Sequence, residues 1–212
     1  MVAGPLVLDF PFTGRWLARN SPADRVPSHG TVAFGSSHAI DFVAVDERGR
    51  SAPFGWSALV STERPETFRG FGLPIRAPLA GEVVAAEDGE PDHVARRSLV
   101  AGLPYLLTQR ARVRDGARGI AGNHVVIAAS AGGPFVLLAH LRRGSLRVAR
   151  GDLVDVATVI GACGNSGNST EPHVHVQASD SLAWATARGV PIAFPGADGP
   201  WLPRGGEVFT AH

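Results

Sequence analysis

Lysine is missing from this chain; all twenty basic side chains are arginine. That excludes any cofactor tethered through a lysine amine. Cysteine occurs once, at Cys163, so no intramolecular disulfide can form, and no Cys-x-x-Cys or histidine-rich neighbour marks it as a nucleophile. Charge of one sign is lacking too. The formal net charge is +1, which gives no electrostatic reason to expect a nucleic-acid partner. Nor is any apolar run long enough to cross a bilayer, and the start, Met1 to Pro11, has no basic n-region ahead of an apolar core. The expectation is a cytoplasmic protein, or one whose export signal is not within these 212 residues. No Gly-x-Ser-x-Gly elbow opens a helix, which argues against a serine hydrolase.

What the chain does have is glycine (26), proline (16) and a hydrophobic fraction of 44%, arranged as many short apolar runs between turn residues. Such punctuation predicts an all-β architecture built around one sizeable core. Strands are expected at 31–45, 74–76, 81–87, 123–129, 135–141, 145–149, 158–163 and 173–178, with a short helix near 182–188. Domain boundaries read as an extended arm over 1–28, a β domain over 29–178 and a tail over 179–212 packed on that domain. An excursion at about 92–121 interrupts the strands. It is basic, with Leu99, Val100, Leu103, Leu106 and Leu107 at partly helical spacing, and reads either as a flap over a groove or as a solvated surface insertion.

The most informative stretch runs from Gly164 to Val176, GNSGNSTEPHVHV. Alternating Val-His-Val is a strand pattern that puts His173 and His175 on one face, next to a loop of small polar residues. Asn165 and Asn168 are expected to hold that loop by side-chain to backbone hydrogen bonds. Paired imidazoles suit a site where a metal and a proton-transfer group sit side by side.

The run from Phe135 to Gln177 also resembles the C-terminal half of the lysostaphin/LytM-type zinc endopeptidases. Its Ala-His-Leu strand, Gly-Asp-x-Val turn, Ile-Gly strand, Gly-Asn-Ser-Gly loop and His-x-His come in that family's order. Upstream, Ala77-Pro78-Leu79-Ala80-Gly81-Glu82-Val83, Gly122-Asn123-His124-Val125 and Ala39-Ile40-Asp41-Phe42 are similar to three further family strands. The resemblance implies antiparallel sheets forming a groove, a Zn2+ cofactor, and hydrolysis of peptide bonds in bacterial cell-wall peptidoglycan. It implies Asp41 and His175 as metal ligands, and His140 and His173 as catalytic histidines that do not ligate.

The third ligand departs from the family's His-x-x-x-Asp. Ser37 stands four residues before Asp41, and His38 stands three before it, where a regular strand would turn it to the opposite face. Three readings stay open. A β-bulge could re-aim His38 into the site; His29 could fold in from the preceding loop; or the site is incomplete. The last would make the chain a degenerate member acting as a peptide-binding or regulatory module. The turn at Gly151-Asp152-Leu153-Val154 also resembles lipoyl or biotinyl carrier domains, a reading the absence of lysine defeats. Among the remaining candidates, His124 reads as lining a groove or core. His93 and His212 read as solvated, and Glu171 as an exposed carboxylate or a proton acceptor.

Overall fold

The computed structural model describes residues 4–53, 61–96 and 116–212, with the backbone alone at 116–118. Trp56 and the five apolar residues of the insertion lie outside the described residues. What is described is β-rich. Fourteen strands are present: β1 (Leu6–Val7), β2 (Gly14–Arg19), β3 (Ile40–Ala44), β4 (Pro74–Arg76), β5 (Gly81–Glu87), β6 (Asn123–Ala128) and β7 (Phe135–Leu141) come first. They are followed by β8 (Leu153–Val154), β9 (Val159–Ala162), β10 (Val174–Ser179), β11 (Gly189–Val190), β12 (Ile192–Gly196), β13 (Gly199–Trp201) and β14 (Val208–Ala211). One α-helix, α1 (Gly116–Ala121), precedes β6.

The main sheet runs β14-β2-β3-β10-β7-β6-β5-β8, antiparallel throughout, with β11 added beside β10. The first 28 residues thus give it β2, and the last 34 give it β11 and β14. Period-two alternation sorts its faces. Ile40, Phe42, Val125, Ile127, Val136, Leu138, Val174 and Val176 are fully buried in the principal core. An aromatic cluster closes that core, with Phe10 stacked on Phe194 at 4.5 Å and Phe12 on Trp16 at 3.9 Å. Offset aromatic pairs of this kind add roughly 0.5–1.5 kcal/mol beyond the area they bury. The other face carries Asp41, His124, Val126, Leu137, Ala139, His175 and Gln177.

Three expected elements differ. Residues 31–45 do not form one strand: Ala33–His38 make 3-10 turns, broken by left-handed backbone at Phe34 (φ 57) and Gly35 (φ 74), and only Ile40–Ala44 is extended. Gly35 is needed where it stands, because a Cβ there would come within 3.0 Å of Ser179 Cβ as well as being strained. Residues 145–149 form no strand either, because the amides of Leu146 and Ala149 donate to the carboxylates of Asp88 and Asp152. Around 182–188 the chain makes turns and no helix; Asp180 accepts from the Arg188 amide and draws the segment back on itself.

Candidate active site

Four strands meet in one row. Register places Arg19 opposite Asp41, Asp41 opposite His175, and His175 opposite Ala139, across β2, β3, β10 and β7. Residues directly opposite on antiparallel strands share a face, so Asp41 and His175 project together into a cavity of about 500 Å3. His140, His173, His124 and His29 line the same cavity.

Asp41 is the hub. His175 Nδ1 lies 2.8 Å from its Oδ1, and His29 Nε2 lies 3.0 Å from its Oδ2. Asn20 Nδ2 donates to that same Oδ2 at 2.7 Å, and His173 Nε2 stands 3.7 Å from Oδ1. Burial opposes ionisation of Asp41, but the charges of His29 and His173 and hydrogen bonds from His175 and His29 outweigh it. They hold the carboxyl well below its usual range.

His29, and not His38, is the third residue of this group. One ligand atom from each of His29, Asp41 and His175 lies within 4.8 Å of the others. His38 belongs to the 3-10 turn, so the strand-parity argument never applied to it. Its Nδ1 meets the Ser37 hydroxyl at 3.0 Å, and it is not among the residues lining the cavity.

The turn at Pro27–Gly30 brings His29 in. Gly30 N–H donates to the Pro27 carbonyl, Ser28 N–H to Ser37, and the buried Ser28 hydroxyl to Ala39 at 2.7 Å. With its hydrogen spent on a carbonyl, Ser28 Oγ can only accept from His29 Nδ1, 3.0 Å away. His29 Nε2 faces the carboxylate, and in the neutral ring it is the nitrogen free to take a metal. Two imidazoles and a carboxylate converging this closely are a donor set that a divalent metal such as zinc fits, with a position left for water.

Residues 108–186 match the sequence profile described as peptidase family M23. That match covers less than half of the chain. No curated protein sequence matches it. Among solved structures it is similar to the catalytic domain of the antimicrobial peptidase lysostaphin from Staphylococcus simulans, at 20% identity, covering 73% of this chain and 77% of that one, with a TM-score of 0.40. It is also similar to a mutant catalytic domain of the prophage-encoded M23 protein EnpA from Enterococcus faecalis, at 18% identity, 90% and 92% coverage and a TM-score of 0.40. A third likeness is to pseudoalterin, an M23 metalloprotease from the deep sea, at 13% identity, 98% and 96% coverage and a TM-score of 0.47.

The two remaining motif histidines flank the Asp41 group. His140 and His173 have ring centroids 4.6 Å apart, and His140 stands 5.8 Å from His175. His140 Nδ1 donates to the Ser166 carbonyl at 2.9 Å, and its backbone is left-handed (φ 62), an uncommon state for a side chain this large. Burial, then the neighbouring His173 and His175, push its pKa well down, so the ring is neutral with Nε2 bare. His173 Nδ1 donates to the Glu171 carbonyl at 2.8 Å, leaving Nε2 toward Asp41. His175 is shifted the other way: burial lowers its pKa, but the hydrogen bond and charge of Asp41 more than offset that.

The loop ahead of His173 is tied from below. Gly167 packs so close to the Gly122 backbone that a Cβ would collide with it. Asn165 Nδ2 donates to the His93 carbonyl at 2.7 Å, and its Oδ1 accepts from Ser169. His93 is thus partly buried, with Nε2 2.7 Å from the Gly167 carbonyl, and not solvated as expected; His212 is exposed. Glu171 is also not the exposed carboxylate expected. It is 4% exposed, salt-bridged to Arg19 at 2.8 Å and bonded by Ser51 at 2.7 Å. Its carboxylate buttresses the loop from outside the cavity lining. Cys163 is buried, and burial, then Asp92, raise its thiol pKa far above the usual value. Asn20 and Gln177 escaped the sequence reading, although Gln177 lies two residues past His175 on the same strand face.

Proposed function

We propose that the chain is a zinc-dependent endopeptidase of the lysostaphin/LytM type that hydrolyses peptide bonds in bacterial cell-wall peptidoglycan. The observation that carries this reading is the convergence of His29, Asp41 and His175 within 4.8 Å beside His140 and His173 in one cavity. His29, Asp41 and His175 would hold the metal, with His29 in the place the sequence left to His38. Bound zinc lowers the pKa of a water to about 7 and polarises the scissile carbonyl.

The chain's own side chains then divide the proton work. Neutral His140, locked through Nδ1 to Ser166, offers Nε2 as the acceptor for the proton of the attacking water. His173 Nε2, 3.7 Å from Asp41 Oδ1, is placed to hydrogen-bond the reacting group, and the proton taken by His140 passes to the leaving amine nitrogen as the C–N bond breaks. Asn20 holds Asp41 against rotation.

Metal content of the purified protein, with release of peptide fragments from purified cell-wall peptidoglycan, tests the reading. One zinc per chain and chelator-sensitive release are expected. Zinc without release from any wall preparation would favour the peptide-binding alternative, and no zinc uptake would overturn the metal assignment.

A further inference from the structure

An imidazole can coordinate a metal only through a nitrogen that carries no proton, so every histidine ligand needs something to keep its hydrogen on the far side. For His29 that is Ser28. For His175 the far nitrogen, Nε2, lies 3.0 Å from Gln177 Oε1. An amide could turn over and offer its NH2 group instead, which would strip the proton from Nε2 and place it on Nδ1. Here it cannot. Gln177 Nε2 donates at 2.9 Å to the Phe34 carbonyl, so its oxygen is the end that faces His175. Gln177 is 3% exposed and is held at both ends of its amide.

The Phe34 carbonyl is itself aimed by the left-handed pair Phe34-Gly35 in the turn between His29 and Asp41. The segment that supplies two of the three ligands therefore also holds the residue that orients the third.

We propose that Gln177 is a positioning residue for the metal: pinned by the Phe34 carbonyl, its amide oxygen accepts from His175 Nε2–H and so makes Nδ1, the nitrogen that faces Asp41, the one that takes the metal. The inference rests on the zinc reading above, and goes beyond it by assigning the ligand atom of His175 and the residue that selects it.

The test is zinc affinity, measured by competition with a chromogenic chelator, for wild type, Gln177→Met and Gln177→Glu. Methionine fills the volume but accepts no comparable hydrogen bond, and loss of such an outer partner typically weakens binding on the order of 10–100-fold. Glutamate keeps an acceptor for Nε2–H but loses the donor to the Phe34 carbonyl, so it is expected to bind more tightly than Gln177→Met and more weakly than wild type. Long-range 1H–15N spectra of the zinc-loaded wild type supply a readout that folding does not move: the His175 proton belongs on Nε2. Wild-type affinity in Gln177→Met, or a spectrum with that proton on Nδ1, overturns the proposal. Should Gln177→Met fail to fold, the wild-type spectrum decides. Failure of the wild type to bind zinc at all would instead sink the underlying metal reading.

Discussion

Ser28 and Ala39 are joined by a 2.7 Å hydrogen bond from hydroxyl to carbonyl, and this bond across the mouth of a loop decides where His29 ends. Ser28→Ala removes it and leaves both the Ala39 carbonyl and His29 Nδ1 without that partner. A cost of about 1–3 kcal/mol in stability is expected from the stranded buried acceptor. Zinc affinity should fall roughly 10-fold or more as His29 loses its orienting partner. Urea unfolding and chelator competition on the same sample check both, and unchanged metal affinity would show that His29 needs no such support.

The geometry separates two histidines that the sequence leaves as rivals. His29→Ala should abolish stoichiometric zinc, while His38→Ala should leave it unchanged. Mass-spectrometric metal analysis of the two variants decides, and the reverse pattern would reinstate His38.

His140→Asn is the informative substitution at the first catalytic histidine, because asparagine tolerates the left-handed backbone that His140 adopts. The variant should retain zinc and lose about 10^2–10^4-fold in hydrolysis, the range that a positioned general base supplies. Loss of metal in His140→Asn would mean that a ligand has been taken for a base.

The same ring predicts a pH dependence of the metal-free protein. Its folded pKa lies below the unfolded value of about 6.5. The unfolded chain therefore binds more protons in the interval between the two. This contribution to stability is complete above pH 6.5 and is lost as pH falls through the folded pKa. His175 has the opposite sign, because its folded pKa is raised. Its contribution is present below about pH 6.5 and fades as pH climbs through the folded value. Denaturation with chelator present, from pH 8 down to 5, should show wild type losing more stability than His140→Asn. Parallel curves would overturn the assignment of a neutral buried ring.

Much of this site was legible because strands alternate. His173 and His175 share a face for the reason the sequence suggested, and His140 and Asp41 sit on the strands the motifs marked. His29 was harder. Its approach depends on a turn between Pro27 and Gly30 and on left-handed backbone at Phe34, and hydrophobic periodicity carries no trace of either. The strand expected over 31–45 failed for the same cause: Phe34 and Gly35 turn the chain before Ile40 can pair with Val176. Glu171 looked exposed because a Ser-Thr-Glu-Pro loop is polar. Its burial comes from Arg19 and Ser51, 152 and 120 residues away in sequence, which no local pattern could announce.

The Asp41–His175 contact spans 134 residues of chain. A polypeptide still being made carries His29 and Asp41 long before their partner, and closing so long a loop must wait for the central strands to zip together. The cluster is therefore a late product of folding: until β10 is in place, His29 and Asp41 are two members of a set of three.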